Sequence, residues 1–190
     1  MRIDNITTRP GDVGLIPSSS MLTGIATSAS YSVTASYLNG TLPTLVHAQN
    51  TSGQTVNNNS TVIITGWTNL LAQNASEWSP STGVFTAFKA GTYSVSATVT
   101  YAAQATSTFG SQVYVSIRRS GEIQSAASIY SETGNSILRG SPSTTAIVSL
   151  VVGNTIAIHT FQDLGATAAL STGAGLTTVT IQEIASRITN

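Results

Sequence analysis

Thr92-Tyr93-Ser94-Val95-Ser96-Ala97-Thr98-Val99-Thr100-Tyr101 alternates without a break. Successive side chains of an extended strand point to opposite sides. Tyr93, Val95, Ala97, Val99 and Tyr101 therefore share one face, and Thr92, Ser94, Ser96, Thr98 and Thr100 share the other. The pattern predicts a sheet buried on one side only. The five apolar residues are expected to form the core of the molecule or the face on which copies of it meet.

The same period continues on both sides of this strand. Val84 to Phe88 precedes it, with a turn at Ala90-Gly91 that glycine is expected to allow through a positive φ. Gln112 to Arg118 alternates again, and Arg119-Ser120-Gly121-Glu122 reads as a hairpin turn leading into Ile123 to Tyr130. Ser143 to Val152, a turn at Gly153-Asn154, Thr155 to Phe161 and a closing strand Leu176 to Ile184 follow, with a Gly/Ala-rich loop at 164–175. Before them, Leu45 to Gln49, Thr55-Val56 and Thr61 to Ile64 read as short strands, and a long polar connection runs from Trp67 to Pro80. Eight to ten short antiparallel strands at this spacing predict an all-β sandwich or barrel.

Residues 1–20 hold Pro10, Gly11, Gly14 and Pro17 and keep no period, which predicts an extended arm. Residues 21–38 fit a helical stripe (Leu22, Ile25, Ala26, Ala29, Val33) and a strand (Tyr31, Val33, Ala35, Tyr37) equally well. The expected organisation is an N-terminal anchor or stalk over residues 1–40 and a β domain over 41–190. No signal-peptide pattern and no run of about 20 apolar residues is seen, so the expectation is synthesis in a cytoplasm and no membrane partner.

Of the 190 residues only 7% are charged, seven basic against seven acidic. There is no basic field to hold nucleic acid. Ser and Thr make up about 30% of the chain, so the polar surface is mostly neutral. A surface with so little repulsion suits a symmetric assembly that covers much of it. Cysteine is absent, which removes disulfides, zinc–thiolate sites and thiol catalysis.

The run Thr82-Gly83-Val84-Phe85-Thr86-Ala87-Phe88-Lys89-Ala90-Gly91-Thr92-Tyr93-Ser94-Val95 resembles the C1q/TNF-like pattern G-x-F-x-x-P-x-x-G-x-Y-x-F. Gln112 to Gly121 is similar to the strand and turn that follow in that family, and Leu150-Val151-Val152-Gly153-Asn154-Thr155-Ile156-Ala157-Ile158 to its L-x-x-G-D-x-V-x-V. Phe88 stands in place of the usual Pro, and Asn154 in place of the usual Asp. The resemblance covers about residues 45–185. It implies an antiparallel jelly-roll β-sandwich (C1q/TNF-like) that packs as a homotrimer. The acidic residues that bind calcium in some members have no counterpart, so no metal and no cofactor is carried over.

The Ala-Ser-Tyr repeats at 29–31 and 35–37 are similar to linkers of bacteriophage structural proteins. That likeness implies a non-enzymatic virion protein, a capsid decoration or head fibre. Residues 1–40 would dock on the major capsid protein or another virion component. Two alternatives stand beside it: a tail-fibre tip recognising host surface glycans, and a bacterial surface or spore-coat protein.

The residues offer no reaction. His47 and His159, the only histidines, lie on separate strands without nearby ligands, and structural roles are expected for both. Glu77, Glu122, Glu132, Asp163 and Glu183 are scattered, expected to be solvated or paired with arginines rather than placed as a catalytic pair. No G-x-S-x-G elbow occurs, and Gly165 to Gly175 lacks phosphate-loop spacing. Trp67 and Trp78 flank a polar segment with Asn69, Gln73 and Asn74. Exposed, they would stack sugars as a glycan contact; buried, they would plug the sandwich edge or a subunit interface.

Overall fold

The computed structural model describes residues 43–73, 75–102, 110–130 and 141–186. The expected anchor over 1–40, and the choice of helix or strand for 21–38, lie outside the described residues.

Among the described residues thirteen strands follow in chain order: β1 (Leu45–Asn50), β2 (Thr55–Val56), β3 (Ser60–Ile63), β4 (Trp67–Gln73), β5 (Trp78–Ser79), β6 (Val84–Thr86), β7 (Gly91–Thr98), β8 (Gln112–Arg119), β9 (Glu122–Tyr130), β10 (Ser143–Leu150), β11 (Thr155–Gln162), β12 (Ala168–Ala169) and β13 (Thr178–Ser186). They form an antiparallel sandwich. The first sheet runs β10-β7-β13-β1-β4, and the second runs β5-β6-β11-β8-β9 with β3 also on β11. The chain passes from sheet to sheet: β7 is in the first, β8 and β9 in the second, β10 in the first, β11 in the second, β13 in the first. These crossings make each sheet from strands distant in sequence, which is the jelly-roll arrangement.

The alternation of β7 decides which side faces in. Tyr93, Val95, Ala97 and Val99 are buried between the sheets, and the part-buried Tyr101 packs against the same cluster. They meet Val46, Ala48, Val148, Leu150, Val179 and Ile181 of their own sheet, and Phe85, Val115, Ile117, Ile156 and Ile158 of the other. Tyr93 and Phe85 form an edge-on ring pair across the layers, centroids 5.5 Å apart. These residues are therefore the interior of one sandwich. The face left open to another copy is the opposite one, so their reading as a subunit face is corrected.

Three local features differ from expectation. The polar connection after Trp67 contains β4, β5 and a 3-10 turn at Ala75–Glu77. The pairing of β4 with β1 shifts register between His47 and Ala48, which breaks the period that marks a strand. The loop at 164–175 contains β12, paired with β2. Gly91 has no positive φ; it is a strand residue on which a Cβ would lie 2.8 Å from the Ala185 carbonyl oxygen. Close approach, not turn geometry, requires glycine there.

The hairpin Arg119–Glu122 is as its sequence suggests. Ser120 (φ 47°) and Gly121 (φ 92°) both take the left-handed conformation that matches strand twist. Buried amides hold the loops. Gln162 Nε2 donates to the carbonyls of Val56 (2.8 Å) and Ala166 (2.9 Å), and its Oε1 accepts from Leu164 N at 2.7 Å.

Gly83 is the tightest point. Its φ is +69°, its N–H donates to Ser79 O at 2.8 Å, and a Cβ on it would lie 1.9 Å from Ile64 O. Gly83→Ala is expected to destabilise the domain by about 2 kcal/mol or more, from left-handed strain and the clash together. Chemical denaturation of the two proteins measures it; an unchanged midpoint would contradict this packing.

Candidate functional site

The outer face of the first sheet is built from the second half of each strand's alternation. By register its rows are Ser143, Thr98, Thr178, Gln49 and Thr68, then Thr145, Ser96, Thr180, His47 and Leu71, then Ile147, Ser94, Gln182, Leu45 and Gln73. The five strands contain one charged residue, Glu183, and it is buried on the inner side. The face therefore presents hydroxyls, amides, one imidazole and the side chains of Leu45, Leu71 and Ile147, with no carboxylate, lysine or arginine to desolvate. His47 Nδ1 lies 3.0 Å from Thr180 Oγ1 within the face.

Apolar side chains fringe one end of this face. Phe88, Ile147, Val151, Val152 and Ile184 are exposed, Ile147 to 71%. Ile184 points outward because it follows the inward Glu183, at the bulge where Glu183 and Ala185 oppose consecutive residues of β7. The backbone brings Val151 to Asn154 against Ala87, since Gly153 N donates to Ala87 O and Ala87 N to Asn154 O. Sequence reasoning did not single these residues out. The signal was present: Ala146-Ile147-Val148 and Leu150-Val151-Val152 are apolar runs in a strand that otherwise alternates.

A polar cluster is buried beside that fringe. Thr44 N donates to Glu183 Oε2 at 3.0 Å, Thr44 Oγ1 donates to Glu77, and Phe88 N donates to Glu77 Oε1 at 3.1 Å. Lys89, the sole lysine, lies 2.5 Å from Glu183. Tyr93 donates to Lys89 O at 3.3 Å, and burial followed by the charges of Glu77 and Glu183 pushes its hydroxyl well above the usual phenol range. Glu77 and Glu183 thus have structural partners, not the solvent or arginine contacts expected of them. Among the described residues no three His, Asp or Glu converge as a metal site.

Trp67 and Trp78 are buried, 5% and 4% exposed. Their rings meet edge-on, centroids 6.1 Å apart; Trp67 Nε1 donates to Ile64 O (2.7 Å) and Trp78 Nε1 to Asn69 Oδ1 (2.9 Å). Both polar tips are satisfied and neither ring offers a face to a sugar. The reading of this pair as a glycan contact is corrected: the two indoles close the sandwich beside Gly83.

His159 sits on the outer side of β11, between Ile63 and Ser116. Burial, and after it the nearby Arg118 guanidinium, lowers its pKa to about 4.

No protein-family model and no curated protein matches the chain. Solved structures do. Murine APRIL at pH 5.0 is 14% identical with a TM-score of 0.54, the match covering 75% of this chain and 100% of that one. Eiger TNF from S. frugiperda is 17% identical at 0.54, covering 78% and 97%. The globular domain of zebrafish complement 1qA is 14% identical at 0.52, covering 77% and 100%. At these identities the likeness is one of fold: the domain is an all-β antiparallel sandwich of the C1q/TNF jelly-roll type.

The low pKa of His159 has a consequence for stability. Between about pH 4 and 6.5 the unfolded chain binds a proton there that the folded chain does not. Its contribution is complete above pH 6.5 and fades as the pH falls towards 4. Urea midpoints across that window are expected to fall more for the parent protein than for His159→Gln. Equal slopes would contradict a neutral folded imidazole.

Proposed function

We propose that the protein is a non-enzymatic homotrimeric module of a virion, a capsid decoration or head fibre. Its β domain, taken as 41–190, would make the trimer, and residues 1–40 would anchor it to the major capsid protein or another virion component. The observation that carries the assembly is the uncharged five-stranded face with its apolar fringe.

The physics favours association through that face. Covering it desolvates no ion, whereas a buried unpaired charge would cost several kcal/mol. Hydroxyls and amides can exchange water for partners across the contact. Ile147, Val151, Val152, Phe88 and Ile184 supply apolar area that a lone domain leaves in water. An obligate interface of this kind buries more than about 2,000 Å². The C1q/TNF-type fold supports a threefold closure, since domains of this type usually homotrimerise. The virion setting rests on the resemblance of the Ala-Ser-Tyr segment to phage linkers, and so does the expected location on the particle.

The probes for assembly must lie on the outer side of the strands, because a charge at Ala97 or Val99 would unfold the interior. Light scattering of the full chain at about 10 μM is expected to give three times the chain mass. Ser96→Arg, at the centre of the face, is expected to give a folded monomer with unchanged far-ultraviolet circular dichroism. A monomeric parent protein, or a Ser96→Arg variant that still forms trimers, would overturn the assembly. Labelled protein absent from purified particles would overturn the virion role.

A further inference from the structure

The second sheet carries a different kind of surface on its outer side. Gln112, Tyr114, Ile123, Ser128, Tyr130 and Phe161 line a shallow groove of about 390 Å³ on β8, β9 and β11. That is within the range of small-ligand sites. Tyr114 and Phe161 are tilted rings with centroids 5.8 Å apart, and Tyr130 stands 59% exposed beside them. Gln112 and Ser128 add an amide and a hydroxyl between the rings.

Arg118 gives the groove its sign. Its Nη2 donates to Tyr114 Oη at 3.0 Å, so the guanidinium stands at the rim, next to Ile123 in the β8–β9 register. Its side-chain bonds run to Tyr114 and Ser116, and among the described residues it forms no ion pair. The neighbouring Arg119 is different: it reaches Glu122 at 3.5 Å and the Ser149 carbonyl at 3.4 Å. At the other end Asp163 accepts the backbone N–H of Gln112. The groove therefore runs from a guanidinium to a carboxylate, with aromatic faces between.

We propose that this groove binds a sugar bearing a single carboxylate, a hexuronate or similar acidic saccharide. The ring would stack its C–H face on Tyr130 and Phe161, and its hydroxyls would meet Gln112 and Ser128. Its carboxylate would pair with Arg118, away from Asp163. Guanidinium and carboxylate match as a two-pronged pair. The single charge of Arg118 fits one negative charge; phosphates and nucleic acids draw on several basic groups, and His159 beside Arg118 is held neutral. A purely apolar peptide would leave Arg118 and Gln112 facing no partner. The site lies on the second sheet, so it does not depend on assembly through the first.

Titration of the full chain with D-glucuronate and with D-glucose, followed by saturation-transfer NMR, tests it. Glucuronate is expected to saturate at millimolar concentration and to bind about tenfold more tightly than glucose, the preference shrinking at about 0.5 M salt. Arg118→Gln is expected to bring the two sugars to equal affinity. Tyr130→Ala, at an exposed side chain that the core does not need, is expected to weaken glucuronate about fivefold or more. The proposal is overturned if neither sugar saturates, if glucose binds as well as glucuronate, or if Arg118→Gln keeps the preference. It is also overturned if Tyr130→Ala changes the assembly mass instead of sugar binding, which would give the groove to a second copy.

Discussion

The two-residue period of the β-strand is the constraint on which everything else depends. In β7 it sends Tyr93, Val95 and Ala97 into the sandwich and leaves Thr92, Ser94, Ser96 and Thr98 outside. Strands β10 and β13 repeat the choice on either side, through Ala146, Val148 and Leu150 inward and Val179 and Ile181 inward. The inner half of the pattern folds the domain. The outer half makes a sheet face of hydroxyls and amides, with Leu45, Leu71 and Ile147 among them and no carboxylate, lysine or arginine to hold copies apart. The fold and the proposed assembly would thus draw on two halves of one alternation.

The sheets divide the chemistry between them. The first has no outward charge, and its single carboxylate, Glu183, is tied to Thr44 and Lys89 inside. The second carries Arg118, Arg119, Glu122 and His159, and sets Tyr114, Tyr130 and Phe161 on its surface. A neutral face is suited to a permanent protein contact. A face of rings with a guanidinium at its rim is suited to a small polar ligand.

What could be read from the residues followed from local periodicity. β7 alternates cleanly and β8, β10 and β11 do so over most of their length, so the all-β sandwich and its inward residues were legible, and the order of glycines and turns pointed to the jelly roll. β4 was not, because its register shift opposite His47 inserts Leu70 and breaks the period. The meeting of Glu77 with Thr44, and of Lys89 with Glu183, joins segments far apart in sequence, and no spacing rule announces it. The tryptophans were ambiguous for the same reason: only the tertiary approach of Gly83 to Ile64 and Trp67 encloses them. Tyr114 and Phe161 were legible as strand residues, but their contact across β8 and β11 needed the pairing register.

Because the chain contains no cysteine, one introduced thiol reports on one place. Maleimide labelling of Ser96→Cys, compared with Ser76→Cys on the exposed 3-10 turn, asks directly whether the neutral face is covered in the full-length protein. The account predicts that the thiol at 96 reacts at least about tenfold more slowly than the one at 76, and that the gap closes on dilution below the assembly concentration. Equal rates at every concentration would contradict it.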